Sequence, residues 1–179
     1  SQKKLLNDLG IEVLDNAFGG YHTCLFAYGQ TGSGKSYSIF GYGNNIGIIP
    51  MACSELFRRV SEEQAKAEAE GKNIEENKDD AKKSKNEATF FAGDTEYQVT
   101  VSMLEIYNES VQDLFVQPKK RPKGGLPIRQ RPDGEVYVEK LTTIPVTSYS
   151  DIAEQIERGT SLRTIGATNM NATSSRAHT

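Results

Sequence analysis

The chain has 179 residues, 36% of them hydrophobic and 25% charged, a length that suits one globular domain or part of one. A formal net charge of −3 argues against a nucleic-acid binder that relies on an overall basic excess. No apolar run approaches the roughly 18 to 20 residues that cross a bilayer, and we expect no membrane role for this segment. Cys24 and Cys53 lack metal-ligand spacing, so we expect reduced, buried thiols of a cytosolic protein.

Two elements are predicted at the start of the chain. Apolar residues recur at three- and four-residue spacing from Leu5 to Phe18, which predicts an amphipathic helix that Gly19 and Gly20 end. We expect this helix to cover one face of a sheet. The run from Thr23 to Tyr28 is short, continuous and apolar, which predicts a central parallel strand buried on both faces.

A helix is predicted to begin at Lys35 and to resume over Ile48 to Val60 after a surface loop, GYGNNIG, between its two parts. Beyond it, residues 62–87 carry nine acidic and six basic side chains but one large apolar one, Ile74. Such a segment cannot bury enough apolar surface to form a core. We therefore expect residues 61–90 to be a charged, flexible insertion.

The second half of the chain predicts a strand, a hairpin and a helix. The alternating pattern from Tyr97 to Tyr107 predicts a strand that pairs beside the predicted strand from Thr23 to Tyr28. After a basic loop, PKKRPKGG, two short apolar stretches flank Pro132-Asp133-Gly134, a pattern typical of a hairpin. Ser148, with Asp151 three residues on, predicts the capped start of a helix that runs towards Arg163.

The most specific motif is GQTGSGKS, which fits GxxxxGK[ST] at every fixed position and lies between a predicted strand and a predicted helix. Glycines let the backbone curl so that successive N–H groups point at a phosphate, and the lysine adds a point charge for the β- and γ-phosphates. The candidate nucleotide-binding residues are Gly29, Gln30, Thr31, Gly32, Ser33, Gly34, Lys35, Ser36 and Tyr37.

Two of these positions carry chemistry beyond the phosphate cradle. The hydroxyl of Ser36 can bind Mg²⁺, which bridges the β- and γ-phosphate oxygens of ATP; the simpler reading, a helix N-cap, is compatible but insufficient. Tyr37 could stack its ring on adenine or pack inward as an ordinary helix residue. The motif therefore predicts a site for Mg²⁺ and for ATP or ADP.

The phosphate loop alone indicates only a nucleotide hydrolase, and the C-terminal stretch ATNMNATSSRAHT indicates a more specific class. FAYGQTGSGKS together with NxxSSRxH resembles the phosphate loop and first switch of kinesins, and EIYNESVQDLF resembles a kinesin segment in the same order. NDLGIEVLDNAFGGYHTC and GIIPMACSELF resemble the third kinesin family, the cargo transporters. The resemblance implies an α/β fold of the P-loop NTPase type, a three-layer sandwich around a central, mostly parallel sheet, incomplete in this chain.

The resemblance also implies roles for the C-terminal residues. Asn171, Ser174 and Ser175 would line the γ-phosphate side, with Ser174 helping to place the attacking water and Ser175 holding Mg²⁺ through water. Arg176 would form a salt bridge with a glutamate of the second switch, a residue outside this sequence. Ala177 departs from the family's usual serine, and His178 fits the pattern but equally suits packing or a hydrogen bond within the loop.

The resemblance implies that the predicted hairpin is the kinesin element that touches tubulin. Arg129, Arg131 and Lys140, with the basic loop from Lys119 to Lys123, could meet the acidic microtubule surface, although a merely solvated charged loop fits the composition nearly as well. We expect a location on cytoplasmic microtubules. The oligomeric state stays open.

The phosphate-loop motif and the kinesin resemblance together imply a Mg²⁺-dependent, microtubule-stimulated ATPase in which hydrolysis switches the loop from Asn171 to His178 between ordered and released states and alters microtubule affinity. One alternative is a kinesin-like module that binds microtubules without hydrolysis; another is a myosin, whose phosphate loop typically reads GESGAGKT. The sequence stops before any second switch, main microtubule-binding helix or neck. Residues 1–179 are thus predicted to be part of a motor domain that does not complete a motor cycle alone.

Overall fold

The computed structural model describes residues 1–70, 89–169 and 177–178, with the backbone alone from 164 onward. Contacts between residues divide the chain into two compact units, Ser1–Gln98 and Val99–Thr179. Among the residues described, no helix combines the length and apolar character needed to cross a membrane.

The first unit is mostly helical. A continuous helical stretch opens it and ends at Gly19, as predicted. Its other helices flank a two-residue turn between very short strands, which is the predicted interruption. The elements are α1 Gln2–Leu5, a π-helical turn Leu6–Gly10, α2 Ile11–Phe18, α3 Lys35–Ile39, β1 Gly41–Tyr42, β2 Asn45–Ile46, α4 Ile48–Ala69, β3 Thr89–Ala92 and β4 Thr95–Gln98.

The opening helices make their main tertiary contact with α4. The prediction that they mainly cover one face of a sheet is therefore wrong. Gly10 allows the close approach, because a Cβ there would lie 2.7 Å from the Leu6 side chain and 3.4 Å from Ile48. Ile48 is buried together with Leu14 and Val60, and these three form the apolar centre of the unit.

The run from Thr23 to Tyr28 is not a strand, and this prediction is wrong. A strand requires a neighbour to hydrogen-bond with, and no described strand pairs with these residues. Phe26 is 79% exposed and Tyr28 95% exposed. Cys24 is exposed as well, contrary to the expected buried thiol, whereas Cys53 is partly buried and burial raises its pKa; both are free cysteines.

Helix α4 extends into the segment predicted to be a flexible insertion. It continues nine residues past Val60, because the Glu, Gln, Lys and Ala residues there are strong helix formers. The Glu63 carboxylate accepts a hydrogen bond of 3.0 Å from the Tyr97 hydroxyl, and Thr89 and Phe90 already belong to β3. Residues 71–88 lie outside the described residues.

The second unit holds small antiparallel sheets and one long helix. The strand predicted over Tyr97 to Tyr107 is broken into β4, β5 and β6, and its pairing beside the phosphate-loop segment is wrong, since β5 pairs with β10 and β6 lies between β7 and β11. The predicted hairpin is confirmed as β8 and β9. The elements are β5 Thr100–Val101, β6 Leu104–Tyr107, β7 Ser110–Asp113, a 3-10 turn Pro118–Lys120, β8 Ile128–Gln130, β9 Val136–Val138, β10 Ile144–Pro145, α5 Tyr149–Asn169 and β11 Ala177–His178.

Helix α5 packs on the apolar centre of this unit. A Cβ at Gly159 would lie 2.4 Å from Met103 Sδ and 3.4 Å from the Phe115 ring, so only glycine allows this approach. The buried Asp113 carboxylate accepts 2.8 Å hydrogen bonds from the backbone N–H groups of Phe115 and Thr142 and joins two loops. The buried apolar residues are Val111, Leu114, Phe115, Val146 and Ile152.

Candidate phosphate-binding site

The glycine-rich loop has the backbone that its sequence predicts. Gly29, Gly32 and Gly34 have φ values of 152°, 84° and 90°, a region that L side chains rarely adopt. A Cβ added at Gly32 or Gly34 would meet nothing within 4 Å. The backbone angle, not crowding, therefore requires glycine at these two positions, and the space beside the loop is open.

The loop passes directly into helix α3, as predicted. Gly34 is the residue before the helix, in the left-handed conformation, and α3 begins at Lys35. A turn closes within the loop, where the Ser33 N–H donates to the Gln30 carbonyl at 3.1 Å. In the first turn of α3, the Ser38 N–H donates to the Gly34 carbonyl at 2.9 Å.

Lys35 turns its ammonium group back onto the loop. Its Nζ donates to the Gly29 carbonyl at 2.7 Å and to the Gln30 carbonyl at 2.8 Å. An ammonium has three donors, so these carbonyls occupy two of them. The charge is thereby held over the loop by neutral acceptors, which an anion can replace with a stronger, charge-assisted partner.

Ser36 occupies the second position of α3 with its side chain exposed. Its hydroxyl is a hard oxygen ligand of the kind Mg²⁺ accepts, and Mg²⁺ commonly keeps water and substrate phosphate as its other ligands. The described residues contain no group of three or more His, Cys, Asp or Glu side chains suited to a metal ion. The Ser36 hydroxyl suits Mg²⁺ as one such oxygen ligand.

Tyr37 lies next to a second aromatic residue that sequence reasoning missed. Its ring stacks on Tyr42 with centroids 6.4 Å apart and planes 27° apart, and Tyr37 remains 42% exposed. Gln2 Nε2 donates to the Tyr37 carbonyl at 2.6 Å. The signal available in the sequence was the GYG of the interrupting loop, where a lone aromatic stands between two glycines.

Most of the predicted switch residues lie outside the described residues: Asn171, Ser174, Ser175 and Arg176. The backbone that follows them is described, and β11 pairs Ala177 with Tyr107 and His178 with Ile106. The last two residues of the loop predicted from Asn171 to His178 therefore form a short strand against β6.

The predicted tubulin-facing arginines carry ion pairs within their own hairpin. Arg129 Nε donates to Glu139 at 2.9 Å, and this hydrogen bond is the main reason that the pKa of Glu139 is lowered and that of Arg129 raised. Arg131 pairs with Glu135, and its guanidinium lies 5.0 Å from the centroid of the Tyr137 ring. Much of this charge is thus balanced locally, a feature that sequence pattern did not predict.

Two further basic positions differ from each other. Lys140 is exposed and has a φ of 63°, unusual for a residue other than glycine. Arg121 is partly buried in the basic loop, where its Nε donates to the Val116 carbonyl at 2.9 Å and burial lowers its pKa. Arg121 serves the loop's own structure, whereas the lysines around it are exposed.

The kinesin motor domain model matches this chain over residues 1–179. The chain belongs to the kinesin family. Curated relatives include kinesin-related protein 1 of Dictyostelium discoideum, 44% identical over 99% of this chain, and kinesin-like protein KIF1B of Rattus norvegicus, 43% identical over 99%. The chain spans 7% and 8% of the lengths of these relatives. The kinesin resemblance seen in the sequence is confirmed.

Solved kinesin structures resemble the fold. A fast kinesin gives a TM-score of 0.74 at 29% identity, over 98% of this chain and 42% of that one. A KIF14 dimer with AMP-PNP in complex with a microtubule gives 0.68 at 37% identity, over 99% and 42%. The predicted P-loop NTPase fold of the kinesin type is confirmed by these neighbours, while the strand pairs described in this chain are antiparallel.

Proposed function

We propose that this chain supplies the nucleotide site of an ATP-driven microtubule motor. The observation that carries the proposal is the loop from Gly29 to Ser36, in which three left-handed glycines lead into a helix and the Lys35 ammonium is held over the loop. A family model of the kinesin motor domain along the whole chain supports the same function.

In the proposed complex, the loop N–H groups surround the β-phosphate of ATP or ADP, and Lys35 exchanges its carbonyl partners for phosphate oxygens. This exchange favours a polyanion, because a charged acceptor makes a stronger hydrogen bond with an ammonium than a neutral carbonyl does. Mg²⁺ would neutralise charge on the β- and γ-phosphates as the bond between them breaks. Ser36 and, through water, Ser175 would hold it.

The remaining roles in hydrolysis rest on the kinesin motif. Asn171, Ser174 and Ser175 would sense the γ-phosphate and orient water, and Arg176 would latch to a second-switch glutamate. Hydroxyl and amide groups suit this task, since phosphoryl transfer needs positioning and charge stabilisation more than a strong base. Ordering of this segment by ATP would change the affinity for the microtubule.

Tubulin is the proposed partner, and cytoplasmic microtubules are the proposed location. Solved kinesins in complex with a microtubule support this partner. The proposed contacts are Arg129, Arg131 and Lys140. Both arginines already pair with glutamates, so the charge of Lys140 is the one most readily available to tubulin. The arginines would have to exchange these glutamates for tubulin carboxylates, which limits the gain in affinity.

The decisive variant is Lys35→Ala in the intact protein that carries this sequence, with Lys3→Ala, a surface lysine of the same unit, as the matched control. We expect Lys35→Ala to abolish binding of a fluorescent ATP analogue and Lys3→Ala to leave it unchanged. Ser36→Ala should keep weak binding but lose its dependence on Mg²⁺. Tight, unchanged nucleotide binding by Lys35→Ala would overturn the proposed site.

Turnover separates the motor from its alternatives. A motor shows ATP turnover that rises when microtubules are added. Cosedimentation with microtubules but no turnover would favour a binding module without hydrolysis, and stimulation by actin filaments instead would favour a myosin-type motor.

A further inference from the structure

Tyr42 lies on a short hairpin, and its ring stacks on Tyr37 of α3. The turn between β1 and β2 consists of Gly43 and Asn44, a two-residue connection of the kind that makes tight hairpins. Gly41 has a φ of 82°, and a Cβ there would lie 2.0 Å from the Asn45 carbonyl oxygen and 2.4 Å from the Gly47 nitrogen. The backbone at Gly41 is therefore closely packed against the second strand of the hairpin, and Tyr42 follows it directly in β1.

The ring of Tyr42 meets Tyr37, two residues after the phosphate-loop lysine. Tyr37 is itself anchored at its carbonyl by Gln2. The rings are nearly parallel, with planes 27° apart, and both are partly exposed, Tyr42 to 65%. Two aromatic rings from different elements therefore form one surface of stacked rings beside the phosphate loop.

We propose that Tyr42 is a positioning residue for the nucleobase, acting through Tyr37. The inference rests on the proposed function, because it assumes that a nucleoside triphosphate occupies the loop. A flat base stacks favourably on an aromatic face. Tyr42 restricts the rotation of Tyr37 before binding, so that less side-chain freedom is lost when the base arrives.

The chemistry predicts which part of the ligand depends on Tyr42. A stacking surface acts on the base, whereas the glycine loop, Lys35 and Ser36 act on the phosphates. Loss of the ring should therefore lower the affinity for ATP and leave the affinity for inorganic tripolyphosphate unchanged. A hairpin that merely supports the loop would, when damaged, weaken both ligands together.

The test uses Tyr42→Ala and Tyr42→Phe in the intact protein, each titrated with ATP and with inorganic tripolyphosphate in the presence of Mg²⁺ by displacement of a fluorescent nucleotide. We expect Tyr42→Ala to lower the affinity for ATP about two- to tenfold, the range expected for one aromatic pair. The affinity for tripolyphosphate should be unchanged. Tyr42→Phe keeps the ring and should match the wild type for both ligands.

Equal weakening of both ligands, or no change in either, would overturn the role of Tyr42. Tyr42→Leu keeps apolar bulk at the hairpin, so it replaces Tyr42→Ala if thermal melting shows that the alanine variant is unfolded. A wild-type protein that binds neither ligand would overturn the proposed function itself, and the inference with it. Nucleotide binding that is lost in Lys35→Ala but unchanged in Tyr42→Ala would overturn only the inference.

Discussion

Among the described residues of the first unit, Glu55 makes charge-assisted hydrogen bonds with two arginines of its own helix. Its carboxylate accepts two 2.7 Å hydrogen bonds from Arg58 and one of 3.0 Å from Arg59, which also reaches Asp15 of α2 at 2.7 Å. The hydrogen bond from Arg58 is the main cause that lowers the pKa of Glu55 from 4.5 to about 2, against the opposing effect of burial. The network links α2 to α4.

We expect Glu55→Gln to reduce the free energy of unfolding by about 1 kcal/mol, because the charge-assisted hydrogen bonds become neutral ones. The folded pKa lies below the ordinary value, so the carboxylate contributes stability above about pH 4.5 that is lost as pH falls towards 2. Urea unfolding at pH 7 and at pH 3 measures this, and the wild type and the variant should differ less at pH 3.

Glu62→Gln is the matched control, since Glu62 also pairs with Arg58 but is 53% exposed. Its effect should stay below about 0.5 kcal/mol. Equal losses from Glu55→Gln and Glu62→Gln would contradict a special role for Glu55.

The start of α5 shows how a local motif sets an element. Ser148 Oγ accepts from the Asp151 N–H at 3.2 Å, and Asp151 accepts in return from the Ser148 N–H at 3.1 Å and the Thr147 N–H at 2.8 Å. This reciprocal pair is a capping box, as the sequence predicted. The hydrogen bond from the Thr147 backbone is the largest cause that lowers the pKa of Asp151.

Ser148→Ala removes the side-chain acceptor and should destabilise the chain by about 1 kcal/mol, the usual value of an N-cap. Ser150→Ala, an exposed serine inside the first turn, is the control and should change stability by less than about 0.5 kcal/mol. The measurement is the midpoint of thermal unfolding followed by circular dichroism at 222 nm. An equally large loss of stability in Ser150→Ala would show that the effect comes from disturbing the first turn and not from losing the cap.

At the scale of the whole molecule, the segment from Thr23 to Tyr28 is unusual because it is apolar and yet exposed. Large exposed apolar patches promote association between copies. We expect the 179-residue chain to bind the dye ANS and to self-associate as its concentration rises, and Phe26→Ser with Tyr28→Ser to reduce both. ANS fluorescence and sedimentation velocity are the measurements.

Val136→Ser is the control, because Val136 is 63% exposed but stands in the hairpin β8–β9, apart from this segment in sequence. It should leave dye binding and sedimentation unchanged. An equal effect of Val136→Ser would show that the segment from Thr23 to Tyr28 is not specifically responsible for dye binding and self-association.

Sequence reasoning succeeded where a structure depends on neighbouring residues. The loop glycines, the start of α3 at Lys35, the capping box at Ser148 and the hairpin around Pro132-Asp133-Gly134 were all predicted, since local backbone preferences and hydrogen bonds decide them. The switch residues Asn171, Ser174, Ser175 and Arg176 remain predictions. Tyr42 was missed because its contact with Tyr37 is a packing event between two elements.

The sequence by itself determined the kinesin family and the phosphate-binding loop, because both depend on residue identities at fixed spacing. Tertiary structure decided the pairing of strands: the apolar run from Thr23 to Tyr28 has no described ladder, and the stretch from Tyr97 to Tyr107 is divided among three strands with different partners. It also decided that Arg129 and Arg131 meet glutamates. The physical reason is that a strand needs a second strand and an ion pair needs a partner, and a pattern along one segment does not specify either.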